Sequence, residues 1–306
     1  MTVLVTGGAG FAGVAVVREL LRRGVDVCVV DDFSVAARTR LQSFGDDIEV
    51  LPLDVRHVVP LTEAFRTVAP DCVVHLAALH FIPWCNAEPE RAIEINVQGT
   101  QNVLSAAADA GVQRVVIAST ADVYAIGAEP HSEDDVPAPR GVYGIGKLAT
   151  EKLLQSWAER TSGTGIAARL FNIYGPGETN PHLLPDICAG LRVSDELQLG
   201  NLSPRRDYVY VDDVAEVFAS FVSHPDPPRI VNVGTGTSTS VEDVLAMIRE
   251  MTGRAISVAQ DPAKLRPVDR PNLQARPDLL LRTLPDLQLV ELRDGLRRLL
   301  EAEGLL

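Results

Sequence analysis

Lysine is scarce in this 306-residue chain, standing only at positions 147, 152 and 264, so arginine carries nearly all the positive charge. The basic groups fall well short of the acidic ones, and the formal net charge is −13. That balance excludes nucleic acid as the ordinary partner, because phosphate backbones select basic surfaces. No stretch of about 18 uncharged apolar residues occurs, which excludes a membrane-spanning helix. Cys28, Cys72, Cys85 and Cys188 form no CxxC pair. Without secretory context they read as buried or free thiols of a reducing cytoplasm, and no metal site is expected. No secretory leader is expected, since Met1 runs straight into the strand-like Val3-Leu4-Val5 with no basic region before it.

What is present is a regular alternation in the first half. Short apolar runs at Val3–Thr6, Val27–Asp31, Glu49–Leu53, Cys72–Leu76, Arg114–Ala118 and Ala167–Phe171 read as buried strands. Helical segments are expected at Ala12–Arg23, Glu88–Ala110 and Tyr143–Arg160. Strands alternating with helices predict an α/β fold, a Rossmann-type doubly wound parallel sheet covered on both faces. After Phe171 the chain is broken repeatedly by proline and glycine, from Gly175-Pro176-Gly177 to Pro285. Two domains are expected. Residues 1–174, with a return segment at about 206–237, bind a dinucleotide, while 175–205 and 238–306 form a smaller, loop-rich substrate domain.

The turn Thr6-Gly7-Gly8-Ala9-Gly10-Phe11-Ala12-Gly13 joins the first strand to the first helix. Absent side chains let a pyrophosphate approach the backbone, and the helix N-terminus offers free N–H groups and a positive dipole. Gly7, Gly10 and Gly13 space as G-x-x-G-x-x-G. Asp31 stands about 20 residues further on, where a carboxylate accepts hydrogen bonds from ribose hydroxyls and repels a 2′-phosphate. NAD is therefore favoured over NADP; Arg38 and Arg40 in the next loop are the groups that would hold a phosphate instead. Asp54-Val55, at another strand end, either flanks the adenine or leaves a carboxylate facing solvent.

Tyr143 and Lys147 are one helical turn apart, so their polar ends share a face. A free phenol titrates near about 10 and is a poor base. A neighbouring ammonium and a cationic nicotinamide ring would lower that value and make Tyr143 a usable proton acceptor. Ser119-Thr120 ends a strand of the same sheet about 20 residues earlier, a combination more specific than either motif alone.

On these residues, with His75-Leu76-Ala77-Ala78, Asn96-Val97-x-Gly99-Thr100, Arg169-x-x-Asn172-x-Tyr174-Gly175-Pro176 and Arg206 to Asp213, the whole chain resembles the extended short-chain dehydrogenase/reductase family of sugar-nucleotide epimerases and dehydratases. The resemblance implies that Tyr143 is the base, that Lys147 holds the ribose and tunes it, and that Thr120 bonds the reacting hydroxyl. It also implies NAD contacts at Phe11, Ala12, Asp32, Ser34, Asp54, Val55, Leu76, Ala77, Ala78, His80, Asn96 and Phe171. His80 and Thr120 would face the sugar. Asn172, Arg206 and Arg266 would meet the diphosphate, Asp269 would be a further substrate contact, and Leu197 and Leu199 would line the nucleotide base. A guanidinium matches a diphosphate bidentately, which lets so acidic a chain bind an anion.

The family's shared opening step leaves a 4-keto sugar, and neighbouring residues decide its fate. The family's 4,6-dehydratases carry Asp-Glu after the threonine, where this chain has Ala121-Asp122. Asp122 resembles a shortened form of the decarboxylases' glutamate, so decarboxylation or dehydration is the alternative. The leading expectation is 4-epimerisation of a nucleotide-diphosphate sugar, a UDP-hexose. A non-catalytic NAD-sensing protein is the alternative from another class, against which Thr120, Tyr143 and Lys147 are all retained. Cys85 has no evident cationic partner to lower its pKa, which favours a structural thiol over an acid/base. His80 reads as a packing or hydrogen-bonding group before a proton shuttle. The resemblance further implies a homodimer through the helices at Glu88–Ala110 and Tyr143–Arg160.

Overall fold

The computed structural model describes residues 1–264 and 270–306. Its first half runs β1 (Thr2–Thr6), α1 (Phe11–Arg22), β2 (Asp26–Val30), β3 (Ile48–Leu51), α2 (Val58–Val68), β4 (Cys72–His75), α3 (Ile82–Ala87), α4 (Pro89–Ile93), α5 (Gly99–Asp109) and β5 (Arg114–Thr120). Next come α6 (Val142–Thr161), β6 (Thr164–Leu170), β7 (Asn172–Tyr174), α7 (Leu183–Leu191), β8 (Glu196–Leu199), β9 (Arg205–Tyr210), α8 (Val211–Ser223) and β10 (Ile230–Val233). The chain finishes with β11 (Ser238–Ser240), α9 (Val241–Thr252), β12 (Ser257–Gln260), β13 (Asn272–Leu273), α10 (Asp278–Thr283) and α11 (Leu292–Ala302).

Seven strands form one parallel sheet in the order β10-β6-β5-β4-β1-β2-β3. Both faces are covered, which is why its strands are apolar throughout and do not alternate. One core joins Val3, Val5, Val16, Leu20 and Val74 to Val214, Phe218 and Phe221 of α8. The opposite core joins Leu4, Val73, Val115 and Ile117 to Phe65, Leu104 and Trp157. The strand order reverses between β1 and β4, and ligands of open parallel sheets sit in the crevice beyond the strand ends at such a point.

A second sheet is built on β9, flanked by β11, β13 and β7. β9 therefore does not join the large sheet, although α8 packs on it and β10 extends it. The Asp207 carboxylate on β9 is wholly buried and accepts from the backbone N–H groups of Thr235, Gly236 and Ala275 and from the Thr235 hydroxyl, at 2.7–3.1 Å. β8 pairs in parallel with β12 in a third, two-stranded sheet.

Two segments differ from the sequence reading. The helix expected over residues 88–110 is α4 and α5 joined by a wider π turn at Glu94–Gln98. Helix α2 was not foreseen, because Pro60 follows a β-branched pair; it stands in the helix's first turn, where a missing N–H is tolerated. Among the described residues no helix is long and apolar enough to cross a membrane.

Candidate functional site

The β1–α1 turn brings the chain close to the loop after β4. Gly7 has φ +71°, and a Cβ there would stand 2.6 Å from the Ala77 backbone nitrogen. Only glycine meets both constraints. Gly10 caps α1 without any side-chain hydrogen bond, so the first N–H groups of the helix stay directed at the crevice. Gly13, Phe11 and Ala12 form the first turn of that helix. Asp31 directly follows β2. One carboxylate oxygen accepts from Ala9 N–H at 2.9 Å and the other from Phe33 N–H at 2.8 Å. Burial pushes its pKa up, against the pull of those two bonds. Phe33 holds a left-handed φ of 55°, strain of a kind that concentrates at ligand sites. Asp32 caps the same loop through Ser34, whose N–H and hydroxyl both donate to it.

These features fit a dinucleotide: a side-chain-free cradle, a helix terminus aimed at it, and a carboxylate with lone pairs to spare. Other expected contacts are already engaged. The Asp54 carboxylate is gripped by Arg56, with Nη2 at 2.6 Å. Burial raises its pKa, but Arg56 outweighs that and holds it below the usual carboxylate value. Val55 packs beside Gly99. Asn96 is buried and clamps Leu79, accepting from its N–H at 2.8 Å and donating to its carbonyl at 2.9 Å. Asn96 thus shapes the Leu76, Ala77, Ala78 and His80 loop from behind. Phe171 packs into a small core with Tyr124, Leu273 and Ala275.

Beneath the crevice, His75 links two strands to α5. Its Nδ1 lies 2.6 Å from the Thr6 hydroxyl and its Nε2 2.8 Å from that of Thr100. Burial, with Lys147 adding, pushes its pKa down to about 3, so the ring is neutral and purely structural near pH 7.

Tyr143 and Lys147 lie on α6, where Gly144 allows the helix to close on the Asp122 backbone, 2.5 Å from where a Cβ would be. Lys147 Nζ donates to the Ala118 carbonyl at 2.9 Å and stands 6.0 Å from the Tyr143 ring centre. Burial pulls the ammonium down to about 8. Tyr143 departs from expectation: burial pushes the phenol well above its usual value, the Asp122 carboxylate pushes the same way, and only the Thr120 hydroxyl opposes them. Among the protein's own groups desolvation dominates, and the ammonium is directed at Ala118. Thr120 ends β5 and accepts from Asp122 N–H at 3.2 Å.

Asp122 itself is paired. Arg270 Nε stands 3.3 Å from its carboxylate, and the same guanidinium donates to the carbonyls of Asp122, Tyr124 and Ala125. Sequence reading missed Arg270, whose partners lie about 145 positions away. Beneath them, Arg169 and Glu151 form a buried bidentate pair at 2.8 and 2.9 Å, joined by Ser119 and Tyr124. Cys85 is fully buried, its Sγ directed at the Leu79 carbonyl at 3.3 Å. Burial raises its pKa despite Lys147, which supports the structural reading.

On the far side of the crevice, Asn172 stands on β7 beside Tyr208 of β9. Arg206 donates from Nη1 to the Arg205 and Arg270 carbonyls. Leu197 and Leu199 bury their side chains among Leu184, Ile187, Val244 and Leu245 and border a cavity of about 190 Å³. Lys264 borders that cavity, bridging Asp186 and the Gln198 carbonyl. Arg266 and Asp269 lie outside the described residues. Also unforeseen is the approach of His80 to Glu178 and His182 across the crevice.

A family model described as the NAD dependent epimerase/dehydratase family matches residues 3–234. A UDP-N-acetyl-alpha-D-glucosaminuronate decarboxylase of Bacillus cytotoxicus is 31% identical over 269 residues, covering 85% of this chain and 83% of that one. The UDP-glucose 4-epimerase of Thermus thermophilus, solved with NAD, superposes with a TM-score of 0.87 at 30% identity over 99% of both chains. TunA, an NAD-dependent NDP-hexosamine 5,6-dehydratase of tunicamycin biosynthesis, gives 0.89 at 29% identity, covering 99% of this chain and 97% of that one.

Proposed function

This chain belongs to the NAD-dependent epimerase/dehydratase family, and on that premise we propose that it is a 4-epimerase of a nucleotide-diphosphate sugar, a UDP-hexose. Gly7, Gly10, Gly13 and Asp31 would hold NAD, which when bound supplies a reversible electron acceptor for the sugar's C4. Tyr143 takes the C4 hydroxyl proton, Thr120 orients that hydroxyl, and Lys147 supplies the local positive charge. The proton returns by the same route after the 4-keto sugar has presented its other face.

The observation that carries the epimerase reading is the Arg270–Asp122 pair, 3.3 Å apart. Elimination of water needs a side-chain acid–base group to exchange a proton, and the carboxylate beside the threonine is engaged by a guanidinium. The second reading, a dehydratase or decarboxylase, draws on the similarity to the Bacillus decarboxylase and TunA.

Purified protein incubated with UDP-glucose, UDP-glucuronate and their N-acetyl relatives decides between them. NMR should show interconversion of C4 epimers with no net reduction of NAD. A dehydrated or decarboxylated product as the sole outcome would overturn the assignment.

The domain division at residues 1–174, 175–205, about 206–237 and 238–306 belongs to this proposal, with the sugar held between the two parts. So does a homodimer formed by α4, α5 and α6, where Ile93 and Ile145 leave apolar side chains exposed. A cytoplasmic setting is supported by four cysteines that stand buried and unbridged.

A further inference from the structure

We propose that His80, Glu178 and His182 bind one divalent transition-metal ion of the zinc type at the rim of the crevice. One donor atom from each lies within 4.8 Å of the other two. Two imidazoles and a carboxylate are a recognised zinc donor set, and three protein ligands leave a position open for water or a ligand oxygen. A tetrahedral centre with bonds of about 2.0–2.1 Å needs its donors about 3.3 Å apart, so the three must close by roughly 1.5 Å at most.

Each ligand is already oriented. His80 Nε2 accepts from the Asn180 amide at 3.0 Å, a bond that the ion replaces. Glu178 Oε1 accepts from Thr179 N–H, Asn180 N–H and the Asn180 amide at 2.8–3.0 Å, which fixes the carboxylate and leaves Oε2 as a donor. His182 packs edge-on against Phe81, with ring centres 5.4 Å apart. Hydrogen-bonded and packed supports of this kind are what hold metal ligands in place. Gly177, at φ +87°, makes the turn that carries Glu178 back toward the His80 loop.

Magnesium and calcium prefer oxygen ligands, so two imidazoles select an ion of the zinc type, which coordinates nitrogen directly.

The test uses untagged full-length protein, stripped with a chelator and titrated with Zn²⁺ by calorimetry and with Co²⁺ by visible absorption. One ion per chain is expected, with the strong visible bands of four-coordinate cobalt. Loss of a supporting partner alone weakens metal affinity about 10–100-fold, so His182→Asn and Glu178→Gln should each weaken binding by at least about 100-fold. A surface variant, His57→Asn, should bind as the parent does. Circular dichroism checks the fold, and Glu178→Gln carries the test if His182→Asn does not fold. No saturable uptake of either metal, or equal affinity in parent and ligand variants, overturns the site.

Discussion

The Lys147 ammonium lies 2.9 Å from the Ala118 carbonyl, one strand residue before the Ser119-Thr120 pair that ends β5. The contact ties the helix carrying the phenol to the strand carrying the hydroxyl. It also makes Lys147 sensitive to pH, because burial pulls its pKa down to about 8. Its charged form is complete well below that value and lost above it. In the NAD-bound enzyme, where the cationic nicotinamide lowers the phenol, kcat/KM should therefore fall as pH rises through about 8, and Lys147→Met should abolish that limb of the profile. A profile flat to pH 10 would remove Lys147 from the chemistry.

Tyr143→Phe should lower kcat about 10²–10⁴-fold, the range assigned to a positioned acid–base group. NAD affinity should change little, so fluorescence titration of the cofactor separates a lost base from a damaged pocket. Because burial sets the phenol high, Asp122→Asn should shift the acidic limb of the kcat/KM profile to lower pH by removing a neighbouring negative charge.

Asp31→Ala removes an acceptor that both shapes the loop, through Ala9 and Phe33, and would meet the ribose. A hydrogen bond to a charged group contributes about 1.5–3 kcal/mol, so NAD should bind about ten- to a hundred-fold more weakly. Preference for NAD over NADP should narrow in the same titration. Unchanged affinity would place the ribose elsewhere.

Glu151→Gln breaks a pair in which both side chains are almost wholly buried, 3% and 2% exposed. Removing one partner of a buried ion pair costs about 3–5 kcal/mol, because Arg169 is left charged and uncompensated. Urea denaturation measures it, and a loss below about 1 kcal/mol would show the pair to be dispensable.

Much of the large sheet was readable because its strands are short apolar runs separated by helical stretches, and Thr6 to Gly13 announces the turn between the first strand and helix. That Tyr143 and Lys147 share a helix face near the strand end at Thr120 was legible from their positions, whereas the roles proposed for them came from the resemblance. The upward push on the Tyr143 phenol was not legible, since a helix rich in glycine gives no sign of which neighbours stand around it. Arg270 and Glu178 were hidden for another reason. Each meets its partner across roughly 100 or more residues, at a contact made by loops. Loop side chains follow no period, so nothing local marks them.

The buried Asp207 carboxylate has a mechanical consequence. Its four donors come from the loop after β10 and from the segment before α10, so one side chain rivets the second sheet to the edge of the first. Any swing of β9 away from the crevice must shear all four bonds at once inside a dry interior. β9 is thereby the fixed jamb of the crevice, held against the edge of the large sheet.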